Sequence, residues 1–221
     1  EKQLGGMAAR LHHTIEGRDI RVYLQELIDK VNAHQKIEIL TDATITGFSG
    51  YKGNFTTHLA TGADAADHTI NHGVIIVATG AKEYQPVEYL YPESDRVVTQ
   101  VELSDRLEEK GGADLDSVVM IQCVGSRNEE NVNCSRLCCQ SAVKNALALK
   151  KLNPDTSIYV LYRDMRTYGL LEDYYKEARE KGIIFIRFAQ EAPPEVTSTA
   201  DGLTIFVKDH ILQRKLAISA D

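Results

Sequence analysis

The sequence has few cysteines, no run of basic residues and no apolar run long enough to cross a membrane. A membrane-spanning helix needs about 20 apolar residues, whereas the longest apolar stretch, GVIIVATGA at 73–81, has the length of a strand. A formal net charge of −7 without a basic run argues against a nucleic-acid surface, which is built from clustered lysine and arginine. The first ten residues, EKQLGGMAAR, lack the apolar core of a secretory signal. We therefore expect a cytoplasmic globular protein.

All four cysteines lie in one segment, CVGSRNEENVNCSRLCC, which runs from Cys123 to Cys139. Secreted domains that are held by disulfides are short and rich in cysteine. Four cysteines in 221 residues do not indicate such a domain. Thiols gathered in one segment indicate a metal or redox site in a reducing compartment.

Hydrophobic periodicity predicts an α/β fold in two domains. Residues 1–95 are predicted to hold a helix at 19–33 with Asp19 as N-cap, a short strand at 37–40 and an antiparallel meander over 43–61. His68–Ile70 is predicted to lead into a strand at Val74–Ala78 that is covered on both faces. Residues 96–221 begin with a helix near 101–110. They then alternate strands at 118–122, 158–162 and 183–188 with helices at 134–152 and 170–181, before three last strands. This β-α-β-α-β order predicts a parallel, Rossmann-like sheet with antiparallel additions.

The strand at 118–122 is not followed by the G-x-G-x-x-G loop that holds a pyrophosphate in dinucleotide-binding folds. The loop after it carries the cysteines instead. The start of a helix favours any anion, and a thiolate-bound iron–sulfur cluster is an anion, as a pyrophosphate is. In a helix beginning at 134, Cys134 and Cys138 would share one face, and Cys123 would fold back to complete the set.

The spacing C-x10-C-x3-C-C matches neither zinc-finger pairs nor the bacterial ferredoxin motif. The residues alone leave four alternatives open. These are a [4Fe–4S] cluster, a structural zinc site, a dithiol redox pair, and buried thiols that bind nothing.

Two stretches carry a family resemblance: IQCVGSRNEENVNCSRLCCQSAVKNALALKKLNPD at 121–155 and IYVLYRDMRTYGLLEDYYKEAREKGIIFIRF at 158–188. They closely resemble the A subunit of heterodisulfide reductase, and the resemblance extends from about residue 74 to 221 and more weakly over 1–73. It implies a thioredoxin-reductase-like, two-dinucleotide-binding flavoprotein fold with FAD and a [4Fe–4S] cluster. The cluster ligands would be Cys123, Cys134, Cys138 and Cys139. Lys144 would contact the flavin ring, where a cation stabilises the reduced, anionic flavin.

The same resemblance places FAD contacts in residues 1–95. Glu1 would bind a ribose hydroxyl, as an acidic residue after the second strand of such a unit does. Gly5 and Gly6 would let the next loop approach the cofactor, Ala43 would lie near the adenine, and the segment Ala78, Thr79 and Gly80 would pass close to FAD. The chain is then expected to be the central part of a longer protein, truncated at both ends, and to bind FAD weakly by itself.

The function predicted from this resemblance is electron transfer between FAD and the cluster in a heterodisulfide-reductase-like oxidoreductase, with flavin-based bifurcation as an open option. The expected partners are the other heterodisulfide reductase subunits and a hydrogenase or formate dehydrogenase module. One rival is an NAD(P)H-dependent disulfide reductase, for which Arg163 and Arg166 could receive a 2′-phosphate; however, the sequence lacks both the glycine loop and a C-x-x-C pair. The other rival is a non-catalytic interaction domain held by zinc.

Overall fold

A computed structural model describes residues 1–62, 66–110, 114–199 and 202–221. The chain forms two compact units. Unit 1 consists of Glu1–His13 and Asp19–Glu83, and unit 2 consists of Thr14–Arg18 and Tyr84–Asp221. The domain boundary that composition places between residues 95 and 96 stays a prediction. None of the helices in the described ranges has the length and apolar character needed to cross a bilayer.

Unit 1 contains one helix and a three-stranded meander. Its elements are a 3₁₀ helix at Gly6–Arg10, α1 at Ile20–Asn32, β1 at Ala43–Tyr51, β2 at Asn54–Thr61 and β3 at Ala66–His72. The predicted cap of α1 is confirmed, because the Asp19 carboxylate accepts the N–H groups of Arg21 at 2.8 Å and Val22 at 3.2 Å. The predicted meander is also confirmed, since β1 pairs antiparallel with β2 and β2 with β3.

Two strands predicted in unit 1 do not form. Residues 37–40 and 74–78 belong to no strand. Val74 is 75% exposed and Val77 is 80% exposed, so the segment that was predicted to be covered on both faces is open to solvent. An apolar run indicates that a segment is suited to burial in a sheet, but it does not specify which strands would pair with it. Among the described residues of unit 1, no strand supplies that pairing.

Unit 2 is an α/β unit with two three-stranded sheets. Its elements are α2 at Gln100–Lys110, β4 at Ser117–Ile121, α3 at Leu137–Leu152, β5 at Ser157–Tyr162, a 3₁₀ helix at Gly169–Leu171, α4 at Glu172–Glu180, β6 at Ile184–Arg187, β7 at Glu195–Thr199, β8 at Gly202–Lys208 and β9 at Lys215–Ala220. The first sheet is parallel with the order β4-β5-β6, and the second is antiparallel with the order β7-β8-β9. The predicted strand and helix order is confirmed.

The parallel sheet separates two hydrophobic clusters. On one side Met120 packs against buried residues of α2, α3 and α4, among them Leu103, Val143 and Ala178. On the other side Ile121 packs against the antiparallel sheet. Because neighbouring β4 side chains point to opposite faces, the strand is covered by helices on one face and by strands on the other. This packing fixes where β4 ends and where the cysteine loop begins.

Candidate functional site

The candidate site lies at the carboxyl edge of the parallel sheet in unit 2. Gln122 and Cys123 directly follow β4, residues 163–167 follow β5, and α3 begins after the loop between them. In open α/β sheets, ligands bind outside the carboxyl ends of the strands. The cysteine loop therefore occupies the position where such folds hold a cofactor.

Three of the four predicted ligands lie close enough to interact. The Cys138 sulfur accepts hydrogen bonds from the Cys139 thiol and from the backbone N–H of Cys123. Cys123 and Cys139 also interact electrostatically with each other. The structure thus brings Cys123, Cys138 and Cys139 together at the start of α3.

The thiols of Cys138 and Cys139 are coupled through one proton. The hydrogen bond from Cys139 lowers the pKa of Cys138 to about 6, and the N–H groups of Cys138 and Cys139 in the first turn of α3 act in the same direction. The pKa of Cys139 is raised, first because its proton is held by the Cys138 sulfur and then because the side chain is buried. The Asp164 carbonyl, 3.8 Å from the Cys139 sulfur, competes for that proton. The pair therefore favours one thiolate and one thiol.

The loop after β5 supports the other side of the site. Burial raises the pKa of Cys123, whereas hydrogen bonds from the Arg127 side chain and the backbone N–H of Arg163 act to lower it. The N–H of Arg166 bonds to the sulfur of Cys139. Backbone donors thus point at sulfur from both the helix start and the β5 exit, as is usual around anionic sulfur sites.

Cys134 lies on the loop that precedes α3 and not in the helix itself. Helix α3 begins at Leu137 rather than 134, because Arg136 has a left-handed backbone with φ 65°. The prediction that Cys134 and Cys138 share a helical face is therefore wrong, and Cys134 lies half-buried on the preceding loop. Across the described residues, no group of three or more His, Cys, Asp and Glu side chains is arranged to hold a metal ion. Forming a four-sulfur site therefore requires the thiols to be rearranged from the positions they have here.

Two orphaned polar side chains lie at the same sheet edge. Gln122 is 3% exposed, and both terminal atoms of its amide lack a hydrogen-bond partner in the described part of the chain. Thr167 is 2% exposed and its hydroxyl also lacks a partner there. Buried polar groups without partners are costly. The Gln122 amide N–H and the Thr167 hydroxyl can donate hydrogen bonds, and the four candidate ligands are all thiols, with no imidazole or carboxylate among them. Both features suit a bound group whose own sulfur atoms accept hydrogen bonds.

A glycine shapes the loop between Cys123 and Cys134. Gly125 has φ 62°, and a Cβ there would lie 2.2 Å from the ring of Tyr84. A larger residue would be strained in its backbone and would displace the ring. The close packing of Tyr84 on Gly125 holds the first half of the loop beside the sheet edge.

An ion network that the sequence did not predict lies beside Cys123. The Arg127 guanidinium is 2.5 Å from one Asp164 oxygen, and Arg187 is 3.2 Å from the other. Arg127 is in the cysteine loop, Asp164 follows β5 and Arg187 ends β6, so all three lie at one sheet edge, although nothing local in the sequence pairs them. Arg163 donates to the Arg127 carbonyl at 2.7 Å and bonds Gln190. This engagement of Arg163 in unit 2 does not favour the nucleotide 2′-phosphate role.

No model of a known protein family matches the chain. A curated relative, the A subunit of the H2/formate:CoB-CoM heterodisulfide,ferredoxin reductase of Methanococcus maripaludis, is 36% identical over 69% of this chain and 26% of that protein. The iron–sulfur A subunit of the CoB–CoM heterodisulfide reductase of Methanocaldococcus jannaschii is 36% identical over 67% of this chain and 25% of that protein. The chain is a relative of the heterodisulfide reductase A subunit. It spans about a quarter of the length of these relatives.

A solved structure shares the fold of this chain. The FAD-bound cadaverine monooxygenase of desferrioxamine biosynthesis from Erwinia amylovora has a TM-score of 0.51 at 8% identity, over 91% of this chain and 54% of that one. At this identity the likeness shows the fold alone. The predicted α/β, Rossmann-like fold is confirmed.

Lys144, the predicted flavin contact of this chain, is half-buried on α3. Burial lowers its pKa, while Glu108 and Asp105 of α2 act in the opposite direction. The side chain therefore lies in the electrostatic field of two carboxylates. Its role toward a flavin stays a prediction.

The predicted FAD contacts are spread over the surface of unit 1. Glu1 is exposed, and its carbonyl accepts the N–H of Asp42 at 2.8 Å, beside Ala43 at the start of β1. The turn at Gly5 and Gly6 leads into the first 3₁₀ helix. The segment Ala78, Thr79 and Gly80 is exposed and belongs to no helix or strand. Their roles toward FAD stay predictions.

Proposed function

We propose that the chain is the FAD- and cluster-binding part of an electron-transferring subunit in a heterodisulfide-reductase-like oxidoreductase. Its cluster ligands are Cys123, Cys134, Cys138 and Cys139. The observation that supports this best is the convergence of three thiols and several backbone N–H groups where relatives of the fold bind phosphates. The relative from Methanocaldococcus jannaschii is named as an iron–sulfur protein, which favours a cluster over zinc.

A [4Fe–4S] cluster, when bound, accepts and releases single electrons, and FAD, when bound, exchanges electrons singly or in pairs. The residues of this chain provide the surroundings. N–H groups at the start of α3 and after β5 stabilise negative charge on sulfur, and the cover of the parallel sheet keeps Cys139 from water. Cys134, on the loop before α3, would supply the fourth sulfur.

FAD is proposed to bind through Glu1, Gly5, Gly6, Ala43, Ala78, Thr79 and Gly80, with Lys144 as the cation for the reduced flavin. Gly80 has φ 65° and an open position where a Cβ would lie, so its backbone can turn beside a cofactor. A flavin that exchanges both electron pairs and single electrons would permit bifurcation in such a protein.

The partners are proposed from the names of the relatives. The relative from Methanococcus maripaludis is named for H2 or formate, the CoB–CoM heterodisulfide and ferredoxin. We infer that this chain works with a hydrogenase or formate dehydrogenase module and with other heterodisulfide reductase subunits. The acceptor is then a disulfide or another sulfur compound.

The proposal is tested by purifying the native protein without oxygen and measuring iron, acid-labile sulfide, zinc and flavin. Replacing any one of the four cysteines with serine, for example Cys134→Ser, is expected to lower iron and sulfide by about four atoms each, because a [4Fe–4S] cluster needs its cysteine ligands. Asn133→Ala is the matched control, since Asn133 is exposed on the same loop and offers no thiolate.

The measurements also separate the alternatives. Stoichiometric zinc without sulfide would establish the zinc-held domain in place of the cluster. Unchanged iron in Cys134→Ser would remove Cys134 from the ligand set and contradict the proposed site. Thiols that stay free of both metals, together with NAD(P)H oxidation, would favour the disulfide reductase.

A further inference from the structure

Arg127 is the one guanidinium for which the described structure gives a direct contact with a predicted ligand sulfur. Its Nη1 lies 3.9 Å from the Cys123 sulfur, within range of a hydrogen bond to sulfur. The side chain is only 17% exposed. A charged donor that is largely withdrawn from water interacts more strongly with nearby negative charge than a solvated one does.

Asp164 fixes the direction of this donor. The second terminal nitrogen of Arg127 donates to an Asp164 oxygen at 2.5 Å. One terminal nitrogen of the guanidinium therefore contacts a carboxylate and the other contacts sulfur. The Asp164 carbonyl also accepts the Cys139 thiol. Asp164 thus links Arg127, which contacts Cys123, to the thiol of Cys139.

The backbone of the loop is held as well. Arg127 has φ 57°, a left-handed conformation that is uncommon for a residue with a side chain. The guanidinium of Arg163 holds the Arg127 carbonyl at 2.7 Å in this conformation. Strained backbones persist where surrounding contacts maintain them, and they often position functional groups.

We propose that Arg127 is a positioning and charge-compensating residue whose guanidinium, oriented by Asp164, donates to the Cys123 sulfur and stabilises the reduced, more negative state of the bound cluster. This inference rests on the proposed function. Hydrogen bonds to the sulfurs and nearby charge set the potential of iron–sulfur sites. The positive charge of Arg127 raises the reduction potential, so its removal lowers it.

Arg187 provides a matched comparison within the same network. It pairs with the other Asp164 oxygen at 3.2 Å, is 52% exposed, and contacts no cysteine sulfur in the described structure. Both arginines therefore carry the same charge to the same carboxylate, but only Arg127 touches sulfur. A general charge effect would make the two equivalent, whereas a directed hydrogen bond would not.

The test is an EPR-monitored redox titration of the native protein, purified anaerobically, with the relevant signal identified by its loss in Cys138→Ser. In Arg127→Gln we expect cluster reduction to become about tenfold less favourable, which corresponds to a potential lower by 59 mV for one electron. Arg127→Lys keeps the charge without the two-sided geometry and is expected to lie between wild type and Arg127→Gln. Arg187→Gln is expected to change the equilibrium less than about twofold.

Each outcome decides the inference. An unchanged potential in an iron-loaded Arg127→Gln protein overturns it, and so does an equal shift in Arg187→Gln. Loss of iron from both Arg127 variants, while Arg187→Gln keeps its iron and all retain native circular dichroism, supports the contact with Cys123. Loss of iron from all three variants overturns a specific role for Arg127. A wild-type protein without iron and sulfide refutes the proposed function and the inference with it.

Discussion

The sulfur of Cys138 lies where the free N–H groups of a helix start meet the backbone of Cys123. The first N–H groups of any helix lack partners within the helix. In α3 the N-cap Arg136 provides no side-chain hydrogen bond, and Ser135 Oγ accepts the N–H of Leu137 at 3.3 Å. A thiolate at this position accepts those N–H groups and gains from the helix dipole. The Cys138 sulfur therefore accepts N–H groups that the Arg136 side chain leaves without an acceptor.

Asn145 is a buried residue whose contribution to stability can be measured. It is 1% exposed, and its amide nitrogen lies 2.8 Å from both the carbonyl and the side-chain oxygen of Gln100 at the start of α2. Asn145→Ala would leave the side-chain oxygen of Gln100 without this donor, so we expect the free energy of unfolding to fall by about 1–3 kcal/mol. Chemical denaturation of the anaerobic protein measures the difference.

Lys151→Ala is the control for this substitution, because Lys151 is exposed on the same helix. It is expected to change the free energy of unfolding by less than about 0.5 kcal/mol. Equal losses in the two variants would show that the Asn145 amide does not hold α3 to α2.

At the scale of elements, α2 begins with a capping box. Thr99 Oγ1 accepts the N–H of Glu102 at 3.2 Å, and a Glu102 oxygen accepts the N–H of Thr99 at 2.7 Å. Tyr91 donates to the second oxygen of Glu102 at 2.9 Å. Burial acts to raise the pKa of Glu102, but these hydrogen bonds outweigh it and the pKa is lowered.

This lowered pKa predicts a pH dependence of stability. A carboxylate whose pKa is lower in the folded protein stabilises it above the unfolded pKa, and this contribution is lost as the pH falls through the folded pKa. We expect Glu102→Gln to lower the free energy of unfolding by about 0.3–1 kcal/mol at pH 7, and the difference from wild type to shrink below about pH 4.5, the ordinary value for a glutamate. Denaturation curves from pH 7 to pH 3 test this, with Glu109→Gln as an exposed control on the same helix. A difference independent of pH would contradict it.

Local patterns predicted most elements but not those that depend on distant residues. The Asp19 cap and the β-α-β-α-β order are local signals, and the structure confirms both. The start of α3 was misplaced because the left-handed backbone of Arg136 has no signature in apolar spacing. Val74–Ala78 was wrongly expected to be covered, since an apolar run does not specify its neighbours. Arg127 was missed because its partner Asp164 is 37 residues away.

On the scale of the molecule, unit 2 joins its two sheets where β9 meets β4. A side-chain oxygen of Asp221 accepts the N–H groups of Asp116 at 2.7 Å and Ser117 at 2.9 Å. The Ser117 hydroxyl donates to the Ser219 carbonyl at 2.6 Å. The antiparallel sheet is thereby fastened to the amino end of β4, whose carboxyl end leads into the cysteine loop.

Asp221→Ala is expected to loosen this junction without unfolding either sheet. Hydrogen–deuterium exchange at the Asp116 and Ser117 amides should become faster, because each N–H loses its acceptor. Asp209→Ala is the matched control: the Asp209 carboxylate accepts two backbone N–H groups, those of Ile211 and Leu212, both at 2.7 Å, but only within its own turn. Exchange at Asp116 and Ser117 should stay unchanged in that variant. If Asp221→Ala left both amides as protected as in wild type, the Asp221 carboxylate would not be the group that protects them, and the prediction would be wrong.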